Sequence, residues 1–227
     1  MTNPGTCRLS SLAAETAPRS PRLDLERFEA TALQRAPFEF LIVPGFLKRE
    51  AMPAIERDFP AIASGGSFPS TSLTCGPAFA ELLAELQGAA VTAAFAAKFG
   101  LDLAGRPTMV TLRGQSRAKD GAIHTDSTTK LVTALIYLNS AWESDGGRLR
   151  MLNGPDDLDD YAAEVPPEAG TLVAFRCGPR AWHGHKPFVG QRRSIQLNWL
   201  TDRGVLKREL KRHAFSAWTK RLLRFGA

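Results

Sequence analysis

From Thr108 to Leu200 the hydrophobic pattern is one of short alternating strands separated by turn residues. A chain patterned this way must lay its strands face to face as a sandwich or barrel, so polar residues on the inward faces converge. Such a polar set is present in a fixed order: His124-Thr125-Asp126, then Trp182-His183-Gly184-His185, then Arg192 and Ser194. Residues two apart on a strand share a face, so the segment Ile123 to Asp126, read as a strand, sets the His124 imidazole beside the Asp126 carboxylate. A third ligand comes from elsewhere, and the chain has only four histidines: His124, His183, His185 and His213. Two imidazoles and a carboxylate leave three adjacent positions open on a metal, which suits non-haem Fe(II) and dioxygen. A catalytic zinc held by two His and one carboxylate has the same sequence, whereas the lack of thiolate spacing disfavours structural zinc.

The last strand, Arg193 to Leu200, extends the set. Arg192, Ser194, Gln196 and Asn198 share one face, and Arg193, Ile195, Leu197 and Trp199 share the other. A guanidinium fork with a hydroxyl beside it is a seat for a carboxylate, so Arg192 and Ser194 are the expected pair and Arg193 is expected to face outward. A hydrolase has no need of a guanidinium at a fixed distance from its last ligand.

Composition excludes several classes. Hydrophobic residues make up 44% and charged residues 23%, ordinary for a globular domain. No apolar run approaches the roughly 18 residues that cross a bilayer. No basic and then apolar leader opens the chain, and its three cysteines have neither metal-ligand nor disulfide spacing, so a cytoplasmic protein is expected. Cys177, six residues before His183, is read as a small buried residue. The net charge of +6 comes from the end of the chain: residues 203–227 carry +7, the remainder −1, and no nucleic-acid signal emerges.

In chain order, residues 1–22 are a flexible N-terminal arm rich in Ser, Thr, Pro and Gly. Residues 23–203 form the domain, and 204–227 a basic amphipathic helical segment offering a contact to an anionic surface. Within the domain, Leu23 to Leu33 is a short helix, Phe38 to Val43 a strand, and Lys48 to Asp58 a helix starting near Pro53. Ser64 to Ser72 is a loop. Pro77 to Phe99 is a long amphipathic helix with a break at Gly88. Strands follow at Thr108 to Arg113, Leu131 to Leu138, Arg148 to Leu152 and Thr171 to Phe175, with polar loops at Gly114 to Gly121 and Asp156 to Pro167.

The order His124-Thr125-Asp126, Tyr137-Leu138-Asn139, Gly146-Gly147 before Arg148-Leu149-Arg150, His183 with Pro187, and Arg192-x-Ser194 resembles the Fe(II)/2-oxoglutarate-dependent oxygenases, most of all their prolyl-hydroxylase branch. The resemblance covers about residues 108–200. It implies a mainly β protein with flanking helices, built on a double-stranded β-helix, or jelly roll. It also implies Fe(II) on His124, Asp126 and His183, with 2-oxoglutarate as cosubstrate, dioxygen as co-reactant and ascorbate as accessory reductant. Arg192, Ser194 and Tyr137 would hold the far carboxylate. His183 is preferred over His185 because Pro187 and Arg192 then fall at the family's spacings. Relatives often carry a tyrosine about ten residues before the HxD, where this chain has Leu112-Arg113-Gly114, so Arg113 or Thr111 is expected to serve the cosubstrate pocket differently. The implied activity is hydroxylation of a peptide side chain or small metabolite, with release of succinate and carbon dioxide. Two other readings stay open: a non-enzymatic cupin-like binding module that docks through its basic tail, and a zinc hydrolase or isomerase on the same barrel.

Overall fold

The computed structural model describes residues 22–209. The expected N-terminal arm lies outside them apart from Arg22, as do Cys7, His213 and most of the basic tail, of which residues 203–209 are helical.

Among the described residues, nine strands form two antiparallel sheets. The larger has the order β1 (Phe40–Val43), β7 (Leu172–Arg176), β4 (Lys130–Tyr137), β9 (Gly190–Leu200), β3 (Thr108–Ser116), β2 (Phe68–Pro69). The smaller is β6 (Tyr161–Val165), β5 (Leu149–Leu152), β8 (His183–Gly184). The non-consecutive strand order, in two facing antiparallel layers, is that of a double-stranded β-helix.

Strand alternation divides the large sheet into two working faces. Val132, Ala134 and Ile136 of β4, with Ile195, Leu197 and Trp199 of β9, join the main core with Phe28, Phe79, Leu82 and Phe95 from the helices. Tyr137, Val173 and Phe175 point the other way and pack against Leu149, Met151 and Val165 of the small sheet. The polar side chains of the second face are thereby enclosed between the sheets.

The helices brace the first face. They are α1 (Leu25–Ala30), α2 (Met52–Asp58), α3 (Pro77–Leu86) and α4 (Ala89–Phe99). Proline in the first turn of α2 and α3 loses no intrahelical hydrogen bond, since those N–H groups have no partner there in any residue. The long amphipathic stretch is two helices bent by 42°, with Gly88 capping the second. Phe95 ties the layers together, stacking on Phe28 at 4.4 Å and lying 4.7 Å from Trp199 of β9. No single helix among the described residues is long and apolar enough to cross a membrane.

Several local expectations change. β3 runs on to Ser116 through an irregularity between Arg113 and Gln115, so the polar loop starts later than the pattern suggested. The expected strand at Ile123 to Asp126 reduces to one bridge, His124 to His183, because this segment crosses between the two sheets. β2 and β6 lie in stretches read as loops: β2 is two residues long, and β6 begins with two exposed residues and lacks a sustained apolar face. The acidic loop before β6 is solvated, with Asp156, Asp157, Asp159 and Asp160 exposed, and Asp159 also pairs with Arg150 and with Lys186 at 2.8 Å.

Candidate metal centre

The site is assembled from three parts of the fold. His124 and His183 exchange both backbone hydrogen bonds, each N–H donating to the other's carbonyl at 3.0 Å, which sets their rings 4.3 Å apart. Each ring then bonds the carbonyl two residues before it: His124 Nδ1 to Ala122 at 2.8 Å, and His183 Nδ1 to Ala181 at 2.9 Å. With Nδ1–H donating to a carbonyl, each imidazole keeps its Nε2 lone pair free, the tautomer that a metal ligand needs.

Asp126 is placed by side chains rather than by strand alternation. Its Oδ1 accepts from Lys130 Nζ at 2.7 Å, and its Oδ2 accepts a short hydrogen bond from the Thr133 hydroxyl. Thr133 is held in turn by Asn198 Nδ2 at 2.7 Å. One ligand atom from each of His124, Asp126 and His183 lies within 4.8 Å of the others. Two Nε2 atoms and a carboxylate oxygen at that spacing, with the imidazole tautomers fixed by backbone carbonyls, fit a divalent metal of the Fe(II) type.

The charge states agree with this. Burial pushes the Asp126 carboxyl up, but Lys130 and His183 beside it outweigh burial, and the group lies below its ordinary value. Burial, with His124 adjacent, pushes His183 down to about 4, so the ring is neutral near pH 7. Burial and the Asp126 charge raise Cys177 to about 12, which keeps it a thiol; it is half-buried rather than the fully buried residue expected.

A cavity of about 90 Å³ runs from these residues along the inner face of the large sheet, past Leu135, Gln196 and Ser194 to Arg192 and Arg113. Arg192 is buried, its Nε donating to the Gly147 carbonyl at 2.8 Å and its Nη2 3.5 Å from the Tyr137 hydroxyl. Burial raises the Tyr137 phenol above its usual value, so it stays a donor. Gly147 has φ +77°, and a Cβ there would lie 2.6 Å from the Trp142 ring, so only glycine lets this carbonyl anchor Arg192. Arg192, Ser194 and Gln196 line the cavity as alternation predicts. Arg193 leaves the cavity as expected, but its guanidinium lies over the Phe59 ring at 5.2 Å rather than in open solvent.

His185 lines the same cavity and is not among the three convergent groups; its Nδ1 bonds the Lys186 carbonyl at 2.9 Å. Thr111 pairs with Gln196 across β3 and β9, whereas Arg113 reaches the cavity. Sequence reasoning missed Lys130 and Thr133, which hold Asp126, the role of Asn198 in holding Thr133, and the Gly147 carbonyl behind Arg192. Thr133 was open to discovery, since it shares a β4 face with Tyr137; the backbone carbonyls leave no trace in residue identity.

A jelly roll that brings a His-x-Asp pair and a distant His together at one end of its cavity, with a buried arginine behind, presents a two-histidine, one-carboxylate donor set of the kind that suits a non-haem metal with open positions. Residues 114–201 match the family model of the 2OG-Fe(II) oxygenase superfamily, whose members use Fe(II) and 2-oxoglutarate, and the resemblance read in the sequence is to this family. No curated protein matches the sequence. Among solved structures, the chain is similar to a prolyl-4-hydroxylase of Pseudomonas putida at 20% identity and TM-score 0.53, over 78% of this chain and 90% of that one. It is similar to an oxidoreductase of the 2OG-Fe(II) oxygenase family from Burkholderia pseudomallei at 15% identity and TM-score 0.51, over 80% and 91%. A prolyl 4-hydroxylase of Phytophthora capsici gives 14% identity and TM-score 0.51, over 82% and 68%. At these identities the likeness is one of fold.

Proposed function

We propose that the protein is an Fe(II)- and 2-oxoglutarate-dependent dioxygenase that hydroxylates a peptide side chain or a small metabolite, with succinate and carbon dioxide as co-products. The observation that carries this reading is the convergence of His124, Asp126 and His183 at one end of a cavity whose other end is the buried guanidinium of Arg192. A bound ferrous ion supplies dioxygen activation coupled to oxidative decarboxylation of the keto acid.

The chain's own residues have separate tasks. His124 and His183 present Nε2, and Asp126 presents a carboxylate oxygen. Lys130 and Thr133 keep that carboxylate ionised and oriented. Arg192, with Ser194 and the Tyr137 hydroxyl, seats the far carboxylate of the cosubstrate and so fixes how deep it enters. The two sheets shield the chemistry from water on the inner side. The test is succinate formation from 2-oxoglutarate with Fe(II) and ascorbate in air, alone and with prolyl peptides and small metabolites added. Iron-dependent succinate that disappears in Asp126→Ala is expected. No iron binding, no cosubstrate binding and no turnover together would remove the proposal.

A further inference from the structure

We propose that Arg113 is a second guanidinium of the distal-carboxylate seat, closing on the same carboxylate as Arg192. The inference rests on the functional reading above and adds to it a residue at which this chain departs from the pattern of its relatives.

Register places Arg113 there. It pairs directly with Ser194 across β3 and β9, while Tyr137 pairs with Ser194 from β4 on the other side. Direct partners on antiparallel strands share a face, with Cβ atoms about 5 Å apart. Arg113, Ser194 and Tyr137 therefore form one row across three strands, and Arg192 lies one same-face step along β9. Both arginines line the cavity.

Their charges lack full compensation from the protein. Among the described residues Arg192 has no carboxylate within ion-pair distance; its contacts are a carbonyl and a phenol. For Arg113 the one acidic partner within that distance is Asp120, at 3.9 Å. Arg117 already holds Asp120, through its Nη2 at 2.8 Å and its backbone N–H at 2.9 Å. Burial, and the repulsion of Arg192, press Arg113 below the usual guanidinium value despite Asp120. Arg192 is buried without a carboxylate and Arg113 is half-buried with a shared one, so both face the small cavity incompletely compensated, and an anion between them relieves their mutual repulsion. The hydrogen-bond count points the same way. Nε of Arg192 is spent on Gly147 and Nη2 is directed to Tyr137, so its end-on edge alone leaves acceptor sites on a carboxylate unfilled. Arg113 supplies further donors from across Ser194.

The experiment is anaerobic calorimetry on the Fe(II)-loaded full chain, wild type against Arg113→Gln, Arg113→Lys and Arg192→Gln. The ligands are 2-oxoglutarate and 2-oxovalerate, which keeps the keto-acid end and lacks the distal carboxylate. Arg113→Gln is expected to weaken 2-oxoglutarate by about tenfold or more while leaving 2-oxovalerate within about twofold, and Arg113→Lys to recover part of the loss. Wild-type affinity for 2-oxoglutarate in Arg113→Gln, as when Arg113 serves a substrate anion instead, would overturn the inference. Equal weakening of both keto acids would overturn it too, by showing a structural role. A wild type that takes Fe(II) but no 2-oxoglutarate would instead overturn the functional reading, and this inference with it.

Discussion

Thr133 carries more of the site than its size suggests. Its hydroxyl donates to Asp126, accepts from Asn198 at 2.7 Å and lies 3.2 Å from the Cys177 sulfur. Thr133→Val keeps the shape and removes both polar links, so the carboxylate loses one of its two orienting bonds. Partners of this kind are worth about 10–100-fold in metal affinity. An anaerobic Fe(II) titration of Thr133→Val should show a loss of that order, with little change in far-UV circular dichroism. Asp126→Ala should abolish stoichiometric binding while the protein stays folded, because the residue lies in a crossing segment and not in the apolar core.

At the scale of elements, the turn at Gly147 couples fold to site. Its left-handed backbone and the nearby Trp142 ring leave no room for a side chain, and its carbonyl anchors Arg192. Gly147→Ala should cost on the order of 1–3 kcal/mol of stability by thermal unfolding and should also weaken 2-oxoglutarate binding by calorimetry. Helix starts give a separate prediction. The Asp58 carboxyl is held below its ordinary value mainly by the Ala78 N–H that it accepts at the start of α3, and Asp24 is held down likewise by the Arg27 N–H at α1. A depressed folded-state value means that the contribution is present above the unfolded carboxyl value, near about 4, and is lost as pH falls through the folded value. The urea midpoint should therefore drop between about pH 5 and about pH 3. It should drop less in Asp58→Asn, which keeps an acceptor but takes up no proton. These elements also mark what the sequence made legible. β4 and β7 were readable as short continuous apolar runs bounded by turn residues, as strands buried on both faces are, and β9 separated Arg192 from Arg193 by alternation alone. The position of Asp126 was reached through an unformed strand. What aims it is a tertiary contact with Lys130 and Thr133, which no local pattern encodes.

For the whole molecule, one large sheet serves two masters: a helix-covered apolar face that supplies stability, and a polar face turned toward the small sheet that supplies the site. Phe95 sits on the first face between Phe28 and Trp199. Phe95→Ala should cost about 3–5 kcal/mol by urea unfolding. The fraction that remains folded should still bind metal, because Ile195, Leu197 and Trp199 point away from Arg192, Ser194 and Gln196 on the same strand. On the proposed function, His124 and Asp126 close on one ferrous ion with His183, distant from them in sequence, and the Arg192 seat lies behind them. The most direct measurement is an anaerobic Fe(II) titration with and without 2-oxoglutarate. The wild type should bind one equivalent of iron, tightened by 2-oxoglutarate; Arg192→Gln should lose the tightening, and His183→Ala should lose the iron. Full iron binding in His183→Ala, or iron binding indifferent to 2-oxoglutarate in the wild type, would contradict the proposed function.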